Sequence, residues 1–175
     1  MEANNLPEPW LRGTLADVPA IPRAVLHALE LAKEDLERWC GPLNDEELNA
    51  RPAGIAPVSF HLRHIARSID RLLTYAEGNQ LTRAQIAAMQ SESELGAKCG
   101  ELFSELESSL RKSAGRIRAL DVTRLTDART VGKKELPTTL GGLLVHVADH
   151  TQRHVGQAVT TSKIVVAQGE ASRRR

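Results

Sequence analysis

One stretch constrains this chain more than any other: the run from Thr138 to Gln157. Leu140, Leu143, Leu144, Val147, Val155 and Ala158 recur there at three- and four-residue steps, the rhythm of a helix that buries one apolar stripe. Thr138 or Thr139 supplies the N-cap, with Pro137 just outside. His146, His150 and His154, three of the chain's six histidines, lie on the same helix at steps of four. Residues four apart stand one turn above each other, with side-chain bases about 5–6 Å apart. Neighbouring imidazoles at that spacing can grip one metal ion. On a wheel of about 100° per residue, His150 and His154 border the apolar stripe and His146 is turned further out.

The remaining composition narrows the class. At 175 residues the chain is one domain with tails, long enough to bury a substantial core. Lys and Arg number 23 against 22 Asp and Glu, so no whole-chain charge favours nucleic acid or an anionic membrane. The densest basic run, Arg173-Arg174-Arg175, reads as a solvated tail. Cys40 and Cys99 have no CxxC partner, which fits a reducing compartment and argues against a disulfide scaffold or a Cys-rich zinc knuckle. No apolar run approaches the roughly 20 residues of a membrane span, and the N-terminus lacks the basic-then-apolar order of a signal peptide. A cytoplasmic location is the expectation.

Taken in order, residues 1–20 form an irregular arm carrying Pro7, Pro9, Pro19 and Gly13, with a turn of helix around Trp10 and Leu11 and Trp10 expected to anchor it on the body. Residues 21–166 form the bundle. A first helix spans about 21 to 40, with Pro22 in its first turn and Gly41-Pro42 as its stop. His27 on it reads as a structural histidine. Asn44 caps a short acidic helix, and Val58 to Glu77 is a strong amphipathic helix closed by Gly78, bringing His61 and His64. Thr82 caps a short helix. Ser91 or Ser93 is expected to cap a longer one that carries Leu95, Cys99, Leu102, Leu106, Leu110 and Ile117. Residues 121–137 form a mixed-charge connection with room for a short extended piece. Beyond Val166 the apolar rhythm stops, so 167–175 is expected to be a flexible tail. Four main helices and no convincing strand predict an all-α four-helix bundle, whose interior can hold metal sites built from facing helices.

The histidine pairs allow two readings. Three imidazoles with open positions describe a catalytic rather than a closed structural metal site, where water can be activated as a nucleophile. In the other reading each histidine is a half-buried packing residue that donates to a backbone carbonyl or to Asp149. The His-Glu-x-x-His signature of zinc proteases, the Gly-x-Ser-x-Gly elbow and a phosphate loop are all missing.

Phe60-His61-Leu62-Arg63-His64-Ile65-Ala66-Arg67-Ser68, followed far downstream by Leu143 to Gln157 with its His-x-x-x-His-x-Gly-Gln ending, resembles the DinB-like (DinB/YfiT) family of metalloenzymes. The similarity covers the order and lengths of the four helices, roughly residues 20 to 165. It implies a bundle with long crossover connections, a homodimer, and a divalent metal, zinc or nickel foremost, held by one histidine of the second main helix and two of the last. By motif position those ligands are His64, His150 and His154. Packing on the wheel instead favours His61 over His64, and His61 is kept as the substitute. Gln157 and Ser68 lie one turn beyond the ligand pairs, suited to hold water or substrate or to satisfy local hydrogen bonds, and His146 suits a ligand-orienting role or plain solvent exposure. The resemblance further implies a metal-dependent enzyme, with thiol-dependent transfer or hydrolysis as the reaction and a low-molecular-weight thiol among its small-molecule partners. The alternative is a non-catalytic helical dimer whose histidines are structural or a weak metal-sensing site.

Overall fold

The computed structural model describes residues 6–173; residues 1–5 of the arm and Arg174-Arg175 of the basic run lie outside it. Six helices and one hairpin follow in order: α1 (Ala20–Trp39), α2 (Asp45–Asn49), α3 (Val58–Ala76), α4 (Arg83–Gln90), α5 (Cys99–Ala119), β1 (Ala128–Val131), β2 (Leu136–Thr139) and α6 (Leu140–Arg173). The four long helices make the expected bundle. α6 packs against both α1 and α3, α3 also packs against α5, and α5 closes more lightly on α1. The short elements ride on the three crossovers.

Local chemistry sets most of the boundaries. Asn44 and Glu47 form a reciprocal capping box at α2, and Thr82 and Gln85 do the same at α4. Gly78, at φ +83°, follows α3 in the left-handed conformation that costs glycine little. Thr139 is the cap of α6, its Oγ1 accepting from the Gly142 N–H at 3.0 Å. Gly141 follows because the chain crosses the preceding turn closely: its N–H donates to the Leu125 carbonyl at 2.8 Å, and a Cβ would stand 3.1 Å from that oxygen.

Three expectations are corrected and one is made specific. α5 starts at Cys99, not after Ser91 or Ser93, because its first N–H is capped from another element: Asp45 Oδ1 accepts it at 2.8 Å. Ser91 is occupied elsewhere, accepting from Arg67 and donating to the Ala88 carbonyl. The short extended piece for which the connection before α6 left room is a paired antiparallel hairpin, with Ala128 opposite Thr139 and Val131 opposite Leu136. Trp10 does not anchor the arm; it is 61% exposed, and the arm is held instead by buried Pro9 and by Arg12, whose guanidinium forks onto Glu34 at 2.6 and 2.7 Å. α6 also remains helical through Arg173, past the point where its apolar rhythm ends.

The core runs continuously through Val25, Leu29, Leu36, Leu62, Ile65, Ile69, Leu73, Leu102, Leu106, Ile117, Leu144 and Val147. His27 is buried at its edge, its Nε2 3.1 Å from Thr14 Oγ1, a structural role as expected. Cys40 and Cys99 are both unpaired, and burial pushes the Cys40 thiol up to about 12. Among the described residues no helix is long and apolar enough to cross a membrane.

Ile69 is fully buried at the centre of α3. Ile69→Ala is expected to lower the unfolding free energy by about 2–5 kcal/mol, read from urea denaturation followed by circular dichroism.

Candidate metal centre

The site forms where α3 and α6 lie side by side. α6 directs Leu140, Leu143, Leu144, Val147, Thr151, Val155 and Ala158 into the bundle, and this fixes the rotation of the helix. His150 and His154 then fall at the border of the stripe, half-buried and facing α3, while His146 is exposed. On α3, His61 is buried at 4% exposure and His64 is half-buried.

One ligand nitrogen each from His64, His150 and His154 lies within 4.8 Å of the other two. His64 Nε2 is 2.9 Å from His150 Nε2, and the His64 and His154 ring centres are 4.2 Å apart. The histidines singled out by motif position therefore come together across two helices. His61, favoured by packing, is the most buried of the four, as its wheel position requires, but it stands behind the group: its Nδ1 meets His154 Nδ1 at 3.1 Å. Phe60 covers the cluster from α3, stacked on the His64 ring at 5.4 Å and edge-on to His61 and His154.

His146 pairs with Asp149 at 2.9 Å, its ring 5.2 Å from that of His150, beside the group rather than in it. Ser68 donates to the Ile65 carbonyl at 3.3 Å, the local hydrogen bond of the plainer reading. Gln157 is exposed and lines, with His61 and Arg153, a cavity of about 520 Å³ next to the cluster.

The residue that sequence reasoning missed is Glu92. It lies in the non-helical connection between α4 and α5, is 5% exposed, and its Oε2 sits 2.7 Å from His64 Nδ1. Arg71, one side of whose guanidinium donates to Glu92 Oε1 at 2.5 Å, supplies the countercharge. Burial pushes the Glu92 carboxyl up, but the bonds to His64 and Arg71 outweigh it and hold the group below its ordinary value. A carboxylate on Nδ1 fixes the ring so that Nε2 points at His150. A lone Glu in a polar loop carries no periodic signal, so nothing in the sequence marked it.

The electrostatics suit ligation. Burial first, then the electrostatic influence of the nearby His64 ring, push His61, His150 and His154 down to about 4 from an ordinary value of 6.5. At neutral pH these three rings are uncharged and their lone pairs are available.

Two outcomes follow for the metal-free protein. The unfolded chain takes up protons on these histidines from pH 6.5 downward while the folded chain resists until about pH 4. The histidine contribution to stability is therefore constant above pH 6.5 and is lost as the pH drops from 6.5 to 4. The total loss is on the order of 2–4 kcal/mol after allowing for partial solvent screening, measured by urea denaturation across that window. Glu92→Ala strands the buried Arg71 charge and is expected to cost about 3 kcal/mol, with Glu92→Gln costing less because an acceptor for Arg71 remains.

A family model described as DinB superfamily matches residues 28–158. No curated protein matches the chain. Among solved structures, a crystal structure of a conserved protein from Enterococcus faecalis is similar over 86% of this chain and 99% of that one, with a TM-score of 0.71 and 19% identity, a likeness of fold. The order of the helices, the paired histidines of α3 and α6 and the family match together place this chain in the DinB superfamily.

Proposed function

We propose that His64, His150 and His154 hold one divalent metal ion and that the protein is a metal-dependent enzyme acting on a small molecule, by thiol-dependent transfer or by hydrolysis. The observation that carries this reading is the convergence of three imidazole nitrogens within 4.8 Å from helices far apart in sequence. The donor set fits zinc or nickel: imidazoles with an anchored second nitrogen on His64 and uncharged rings at His150 and His154. When bound, such an ion supplies Lewis acidity that makes water or a thiol nucleophilic near neutral pH.

The chain's own residues then have separable tasks. His64 is oriented by Glu92, and Arg71 keeps Glu92 ionised. His61 supports His154 from behind. Phe60 shields one face of the cluster from water. The cavity beside His61 offers room for a small substrate next to the site. We carry into the proposal a homodimer, a low-molecular-weight thiol partner and a cytoplasmic location, the last supported by two unpaired cysteines.

A second reading draws on the hydrogen bonds the histidines make with each other, His64 to His150 and His61 to His154. These satisfy the rings without an ion, as in a non-catalytic bundle with structural histidines.

Elemental analysis of protein purified without a histidine tag separates the two. Metal near one equivalent per chain, lost in the double variant His150→Ala, His154→Ala and accompanied by a lower melting temperature under chelator, is expected for the enzyme reading. Metal-free protein whose melting temperature ignores chelator would establish the second. Turnover across thiol-transfer and ester-hydrolysis panels, abolished by His64→Ala, is the expected functional counterpart.

A further inference from the structure

A second cavity, of about 460 Å³, opens between α3, α4 and α5, with Arg71 in its lining. We propose that this cleft is a binding site for a small anionic molecule bearing a carboxylate or a phosphate, independent of whether the histidines hold a metal.

Three features point to an anion. Arg71 is only 9% exposed, yet just one of its nitrogens, Nη1, is used, by Glu92. Its Nε and Nη2 make no hydrogen bond among the described residues and are not sealed from solvent, so a largely buried guanidinium presents spare donors to the cleft. A guanidinium edge with two adjacent N–H groups matches the two oxygens of a carboxylate or phosphate. Ser113, 2% exposed on α5, also lines the cleft, and its hydroxyl makes no hydrogen bond among the described residues. That hydroxyl is not sealed from solvent, so it is open to an acceptor that enters the cleft. Lys112 stands beside it and enters no ion pair among the described residues.

The other charges of the cleft are already matched. Arg67 is forked onto Glu105 at 2.6 and 3.2 Å. Arg116 bonds Asp70 at 2.7 Å and Glu77 at 2.6 Å, and Gln85 donates to Asp70 at 2.7 Å. The two carboxylates that face the cavity, Asp70 and Glu105, are thus neutralised by partners, and what remains unsatisfied is donor capacity: Arg71, Ser113 and Lys112. A cation would find no free carboxylate there. An acceptor-rich anion finds three donors on two facing helices.

Titrating the ¹⁵N-labelled full-length protein as purified with succinate, inorganic phosphate and the uncharged analogue succinamide, at constant ionic strength, tests this. Saturable shifts of the Ser108, Lys112 and Ser113 amides and of the Arg71 Nε–H are expected with succinate or phosphate and not with succinamide, and the tighter of the two anions identifies the headgroup. Lys112→Ala, at an exposed position, is expected to raise the Kd roughly fivefold or more. Ser113→Ala removes a hydroxyl that bonds nothing in the protein, so it should leave the melting temperature unchanged or raised while weakening the anion severalfold; a purely structural serine would show no binding effect. Linear, non-saturating shifts, an equal response to succinamide, or a Kd unchanged in both variants would overturn the assignment. Zinc titrated separately reports on the histidines alone, so failure of the cleft and failure of the metal reading are told apart.

Discussion

The burial of α6 against two helices at once is the constraint on which the rest of this structure depends. A helix packed on one neighbour can roll; one that must place Leu143, Leu144, Val147 and Val155 between α1 and α3 cannot. Each of those side chains contributes about 1.5–3 kcal/mol when fully buried, so a rotation exposing them costs about as much as the net stability of a typical domain. That rotational lock sets His150 and His154 toward α3. Apolar packing thereby does the positioning, and the polar residues inherit their geometry from it.

Placing polar groups at such a seam is expensive, and the structure offsets the cost in a chain of contacts. His64 hydrogen-bonds Glu92, Glu92 is neutralised by Arg71, and His61 meets His154. The same environment that penalises charge keeps three of the rings neutral near pH 7. Solvation and hydrogen bonding thus select one protonation state and one orientation for a set of imidazoles that would otherwise sample many. Arg71 has two faces in this scheme, one on the carboxylate that steers His64 and one on the cleft between α3, α4 and α5.

The two rival candidates on α3 show how far a one-dimensional reading reaches. The wheel correctly ranked His61 as the more buried, because burial follows from the angle around the helix. It could not tell that the less buried His64 would reach His150, because that depends on where the α6 side chains end and on a carboxylate pulling the ring from the other side. Motif position pointed to His64 without a physical account of its orientation; the bond from Glu92 to its Nδ1 is what turns Nε2 toward His150. The late start of α5 has the same origin. Ser91 is a good cap by composition, but Asp45, distant in sequence, reaches Cys99 and lets residues 91–98 stay irregular, which is what leaves Glu92 able to turn inward.

By itself the sequence determined the helices, their apolar faces, the capping boxes at Asn44 and Thr82, and the stacking of His150 over His154, since all of these follow from interactions within a few residues along the chain. Tertiary structure decided how each α3 histidine meets that pair, which carboxylate orients His64, and where a cavity with unused donors opens. Those outcomes depend on groups brought together from separate helices and loops, whose contacts leave no periodic trace in the order of the residues.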